Sequence, residues 1–155
     1  VRNLSEWSRL RPEGTGIGVA VHHSFRSYVA TVIEVEVTGN NVKVQHAWMV
    51  LDCGTYVNPD SCVAQMEGAV AFGLSLARTE GITMKDGRVD QSNFHDYRVL
   101  RMNESPAVSV ELVASSAAPA GVGEPGVPPI APALANAIFN ATGQRLRKLP
   151  LMLSS

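Results

Sequence analysis

The chain has 155 residues, of which 45% are hydrophobic and 17% charged, and its formal net charge is -1. That length suffices for one domain with a real core. The near-neutral balance offers no field to gather a nucleic-acid backbone or an anionic membrane, and no apolar run approaches the ~20 residues that span a bilayer, so nucleic acid and a membrane span are excluded. So sparse a charge predicts that part of the surface belongs against other protein.

Residues 1–15 are polar and irregular, closed by Pro12 and Gly14, and read as a lead-in whose Arg–Leu steps and Trp7 are available to dock on something else. From Gly16 to Gly54 come three runs rich in β-branched residues, GIGVAVHHS, YVATVIEVEV and NVKVQHAWMVLDCG. TGNN at 38–41 separates the last two with residues that tolerate positive φ, which predicts a β-hairpin. Cys53 and Cys62 match no CxxC spacing and are half of what an iron–sulfur cluster needs, so they read as buried small apolar residues. Residues 60–80 place Val63, Met66, Val70, Leu74 and Ala77 on one helical face, with Asn58 or Asp60 as N-cap and Gly81 as stop. Inside that helix Gly68 and Gly73 each cost about 1 kcal/mol against Ala, so something is expected to approach closely there.

A KDGR turn inside Ile82–Asp90 predicts a second hairpin, and residues 107–115 alternate as a strand with Val108, Val110 and Leu112 on one face. Residues 116–132 hold five prolines and three glycines. They lead into a helix over Pro129–Thr142 with the ridge Ile130, Leu134, Ile138 and Ala141, ended by Gly143. Strands and helices are intermixed without βαβ repeats. The class is therefore α+β, an antiparallel or mixed sheet with hairpins and two main helices, residues 16–155 forming the domain proper.

The usual catalytic constellations are mostly absent: the chain has no GxSxG elbow, no HExxH and no P-loop. His22 and His23 are adjacent in a strand and face opposite ways, while His46 and His95 stand alone, so no protein-ligated metal site is expected. Glu124 is the one carboxylate of the Gly/Pro loop before the second helix, stiffened by Pro125, Pro128 and Pro129. Desolvation in so apolar a stretch would make it a useful base near neutral pH. Spacing alone equally allows a solvated pre-helix Glu, or a Pro-rich docking ligand with overlapping PxxP spacings on a non-catalytic interaction domain. Asp52 and Asn58 read as turn caps. Phe94, His95 and Tyr97 either line a substrate or partner approach or, through a His95–Asp96 pair, fix a loop.

The wording of the chain goes further than its spacing. GVAVHHSFRSYVA, DCGTYVNPD, AQMEGAVAFGLS, GRVDQSNFHDYRVLRMNESP and GVGEPGVPPIAPALANAIFNATGQRLRKLPL occur in that order over about residues 16–151. They resemble the C-terminal part of the molybdopterin-binding large subunits of the xanthine dehydrogenase and aldehyde oxidase family, isoquinoline 1-oxidoreductase beta subunits among them. The resemblance implies an oxidoreductase that hydroxylates N-heterocycles or aldehydes with water-derived oxygen, Glu124 matching the family's base. It also implies that Gln65 reads the pterin edge through its amide, whose donor and acceptor suit that edge, and that Gly121 and Gly123 let backbone approach the metal site. The implied cofactor is molybdopterin in its cytosine dinucleotide form, held by the full enzyme and not by this fragment alone, which would be inactive. The implied partners are the remainder of the large subunit, a small 2Fe–2S subunit, an electron-acceptor protein and a small-molecule substrate. A segment cut from so large a subunit would expose an apolar face prone to self-association.

Overall fold

A computed structural model describes residues 1–153. In chain order its elements are β1 (Thr15–Ser24), β2 (Ser27–Thr38), β3 (Asn41–Asp52), α1 (Pro59–Arg78), β4 (Met84–Lys85), β5 (Arg88–Val89), β6 (Ala107–Leu112) and α2 (Ile130–Thr142), with a 3-10 turn at Met102–Glu104. The main sheet runs β1-β2-β3-β6, and β4 pairs only with β5. β1, β2 and β3 are antiparallel, whereas β6 lies parallel to β3 after the crossover through α1, so of the antiparallel or mixed sheet expected the mixed form is found. The TGNN turn forms with Gly39 at φ 58°, and the KDGR turn with Asp86 and Gly87 at 51° and 76°.

Alternation along β2 sends Val29, Ile33 and Val35 into the core and leaves Tyr28 and Glu36 exposed. The helices cover that inner face. Asn58 caps α1, its Oδ1 accepting the Ser61 amide at 3.0 Å, and Pro59 supplies the pre-set φ of the first turn. The helix ends at Arg78 with Thr79 as its cap, short of the stop expected at Gly81; the Thr79 hydroxyl and the Glu80 amide both turn back to the Ser75 carbonyl. Cys62, Met66, Val70, Leu74 and Ala77 are buried, while Val63 is only half-buried, a shift of one position round the helix from the face predicted. α2 buries Ile130, Leu134 and Ile138 with Ala133 and Ala137, and closes on Gly143 at φ 74°. Each of the larger apolar side chains contributes about 1.5–3 kcal/mol of transfer free energy.

Glycine decides how closely α2 can lie on the sheet. A Cβ at Gly16 would stand 2.1 Å from the Ala137 carbonyl oxygen, and one at Gly18 would stand 2.2 Å from that of Ala133, so helix backbone rests directly on β1. Gly73 does the same between the helices, with Ile130 Cβ 2.7 Å from where its own would be.

The lead-in docks on its own sheet rather than elsewhere. Arg11 and Arg9 both pair with Glu34 on β2, and the Arg11 guanidinium also donates to the carbonyls of Trp7, Arg9 and Ser5. Trp7 comes to Val19 and Val32 on the face opposite the helices. Residues 91–105 are anchored on the end of α1. Tyr97 donates to Glu80 at 2.7 Å, Ser75 donates to Glu80 at 2.6 Å, and the Leu100 amide donates to Ser75 at 2.9 Å.

Candidate functional site around the Gly–Pro loop

The segment 117–129 crosses the edge of the molecule between the β1–β2 hairpin and α1, and neighbouring elements hold it along its length. Thr55 donates its amide to the Ala117 carbonyl at 2.9 Å, the Ala120 amide donates to Cys53 at 2.9 Å, and the Gly121 amide donates to Phe25 at 3.1 Å. Arg26 donates to the Pro119 carbonyl at 3.1 Å and Ser27 to that of Gly121 at 2.7 Å. The chain then turns, Val127 donating to the Glu124 carbonyl at 3.0 Å, with Pro125, Gly126 and Pro129 buried. Gly126 seats this turn on α1: a Cβ there would stand 2.7 Å from Ala69 Cβ and 3.0 Å from the Met66 sulfur. A segment so tied, with two of its prolines buried, is not a free polyproline ligand.

Glu124 itself is exposed. The apolar neighbours that suggested desolvation turn inward onto α1, and the carboxylate is left outside. Within this chain it therefore lacks the burial expected of it. Gln65 is also exposed, one position before the Met66 on which the loop sits. Gly68 and Phe72 continue the exposed stripe from Gln65 at helical spacing, beside a groove of about 500 Å³ that Leu100 and Met102 also line.

The glycines divide. Gly121 is required by this chain, since a Cβ there would meet Phe25 Cβ at 2.7 Å. Gly123 and Gly68 have nothing within 4 Å of a would-be Cβ. The close approach expected at Gly68 is therefore not made by the described residues, whereas Ile130 explains Gly73. The run GVGEPG also spells G-x-G-x-x-G, but it is not a dinucleotide turn: β6 ends at Leu112, α2 begins at Ile130, and no parallel strand follows α2 among the described residues.

The other candidates are structural. Asp52 accepts the Gly54 amide at 3.2 Å. Asp96 accepts the Ser92 and Asn93 amides, which hold its carboxyl below the usual range, with the exposed His95 imidazole 3.5 Å away. Phe94 and Tyr97 line a shallow apolar pocket with Ile82. His46 hydrogen-bonds Ser109 at 2.9 Å and stacks on Trp48; desolvation lowers its pKa, against the opposing pull of Glu34. The sequence did not single out the Phe25–Arg26 turn, which buttresses the loop. It contains no Gly, although both residues take positive φ, 51° and 65°.

No group of three or more His, Cys, Asp or Glu residues among the described residues could hold a metal ion. Gln65 and Glu124 are both exposed, and nothing lies within 4 Å of a Cβ built at Gly68 or Gly123.

Residues 8–106 match the family model described as a molybdopterin cofactor-binding domain, so Glu124 and α2 lie beyond the matched stretch. The chain is 39% identical over 156 residues to the isoquinoline 1-oxidoreductase subunit beta of Brevundimonas diminuta, covering 97% of this chain and 20% of that protein. It is 35% identical to a membrane-bound aldehyde dehydrogenase of Gluconacetobacter polyoxogenes, covering 97% of this chain and 21% of that one. The crystal structure of the aldehyde oxidoreductase of Desulfovibrio desulfuricans superposes with a TM-score of 0.66 at 28% identity, over 80% of this chain and 14% of that one. The chain thus spans about a fifth of the length of the curated relatives it matches.

Proposed function

The chain belongs to the molybdopterin cofactor-binding domain family, and on that premise we propose that it is the C-terminal portion of a molybdenum hydroxylase large subunit that oxidises N-heterocycles or aldehydes, with Glu124 as general base. The observation that carries this reading is the state of the loop. Its backbone is hydrogen-bonded to two neighbouring segments, 25–27 and 53–55, and Gly126 seats it on α1 at Met66 and Ala69, yet its one carboxylate is left exposed. A rigid loop that presents a solvent-facing carboxylate is preorganised to accept a proton from a group brought against it.

A molybdopterin cofactor, in its cytosine dinucleotide form, would supply the two-electron chemistry. Gln65 would bind and orient it by donating and accepting hydrogen bonds at the pterin edge. Gly123 and Gly68 would keep that approach free of side chains. Glu124 would accept the proton released as water becomes the nucleophile, and closing the cleft with the remainder of the subunit would exclude bulk water from it.

A separate small 2Fe–2S subunit would take up the electrons and pass them on to an acceptor protein. Exposed Val21, Phe25, Tyr28 and Phe72 would be covered by the rest of the large subunit, and in the isolated chain they favour self-association.

The test is made in the full-length enzyme, with molybdenum content and turnover measured together. Glu124→Gln keeps the volume and hydrogen bonding but cannot take a proton, so it should retain molybdenum and lose ~10²- to 10⁴-fold in turnover. Gln65→Ala should lower molybdenum occupancy with near-normal turnover per metal. Near-parental turnover per molybdenum in Glu124→Gln would refute the assignment of the base.

A further inference from the structure

β1 is an edge strand of the main sheet, and the hairpin that follows it fixes which of its backbone groups face outward. Phe25 and Arg26, at φ 51° and 65°, form a two-residue turn, so the flanking pair Ser24 and Ser27 exchanges its backbone hydrogen bonds. Every second pair then does the same. Gly16, Gly18, Ala20, His22 and Ser24 bond to β2, whereas Ile17, Val19, Val21 and His23 aim their N–H and C=O away from it. Two contacts from α2 agree: Asn140 accepts the Ile17 amide at 3.0 Å, and Asn136 donates to the Val19 carbonyl at 3.1 Å.

The edge is thus bounded on both sides and open between. The α2 asparagines occupy it at Ile17 and Val19, and beyond Ser24 the Gly121 amide takes the Phe25 carbonyl at 3.1 Å. Among the described residues nothing bonds the outward N–H and C=O of Val21 and His23. Val21 is 68% exposed, and His23, exposed as well, stacks on Tyr28, itself 55% exposed. An unpaired edge flanked by uncovered apolar side chains is a template for a further strand.

We propose that an extended segment from the remainder of the large subunit adds to the sheet here, pairing with the N–H and C=O of Val21 and His23. The proposal rests on the reading of this chain as one part of such a subunit, since it spans about a fifth of the length of its curated relatives. The run from Val19 to Ser24 is roughly 17 Å long, which admits about four extended residues. β-Branched or aromatic side chains on that segment would pack across the strands on Val21 and Tyr28. A second copy of β1 does not suit the gap. Past Val21 and His23 its own hairpin would run into Asn136 and Asn140 on the edge.

Amide hydrogen exchange is followed at single-residue resolution in the full-length enzyme, with His22 and Ser24, which bond to β2, as internal references. Val21 and His23 should exchange within about tenfold of those neighbours. In Val21→Pro, which removes one outward N–H and spares the bonds to β2, protection of His23 should be lost while that of Ser24 remains. A photo-cross-linking benzophenone amino acid in place of Val21 then names the occupant, and the linked peptide should come from the large subunit outside residues 1–155. Turnover per molybdenum, which tests Glu124, does not report on these amides, so the two readings fail separately. Unprotected Val21 and His23 amides beside protected His22 and Ser24, undiminished protection of His23 in Val21→Pro, or a link to a second copy or to another subunit would each overturn the proposal.

Discussion

Replacing Gly18 by alanine tests the packing on which α2, and with it the Gly–Pro loop, depends. Gly18 has no positive φ, so a Cβ is not opposed by backbone strain, and stiffening the unfolded chain would even favour alanine by about 0.4–1 kcal/mol. The contact decides against it. The new carbon would stand 2.2 Å from the Ala133 carbonyl oxygen and from the Ala137 amide nitrogen, and both atoms are helix backbone with no rotamer to yield. Restoring ordinary contact at about 3.4 Å requires strand and helix to part by roughly 1.2 Å. A gap of that order forfeits a quarter to a half of the dispersion between facing atoms, and Ile130, Leu134 and Ile138 all sit in this interface. The hydrogen bonds from Asn136 to the Val19 carbonyl and from the Ile17 amide to Asn140 would also open, at about 1 kcal/mol each.

Together these terms destabilise the fold by about 3–5 kcal/mol, a large part of the 5–15 kcal/mol typical of a domain. At roughly 2–4 °C per kcal/mol the midpoint should fall by about 10 °C. The assay is urea denaturation and thermal melting beside Gly123→Ala, whose Cβ meets nothing within 4 Å and should be neutral within about 0.5 kcal/mol. If the two variants differ by less than about 1 kcal/mol, α2 does not rest on β1 as described.

Asn58→Ala removes the cap from the Ser61 amide and should cost about 1 kcal/mol in denaturant, with Asn58→Asp restoring most of it. Burial depresses the pKa of His46 below the usual 6.5, so the unfolded chain binds its proton first. Its contribution to stability is complete above 6.5 and is lost as pH falls toward the folded value; His46→Gln should flatten that part of the stability curve, and an unchanged curve refutes it. Ser75→Ala removes the acceptor of the Leu100 amide and should raise hydrogen exchange there while exchange in α2 stays unchanged.

Local features of the structure were legible in the sequence because local chemistry causes them. Period-two runs made β1, β2 and β3, TGNN and KDGR made turns, Asn58 capped α1 and Gly143 stopped α2. The wording of the motifs gave the family, and with it the identities of Glu124, Gln65 and Gly123 as candidates. The errors arose where a distant partner decides. α1 stops at Arg78, short of Gly81, where the Thr79 and Glu80 amides both turn back to the Ser75 carbonyl, and its buried face takes Cys62, a member of the core cluster, in place of Val63. The Phe25–Arg26 turn had no glycine to announce it; the β1–β2 register leaves only those two residues to connect the strands.

Glu124 stands in apolar company along the chain but not in space. Sequence by itself determined which residue types are present at the loop and how each segment pairs with itself. Tertiary structure alone decided which glycines are filled from outside, as Gly16, Gly18, Gly73 and Gly121 are, and which lie open, as Gly68 and Gly123 do. The physical reason is that a Cβ's nearest neighbours come from elements far apart in the chain, whose relative placement no local pattern encodes.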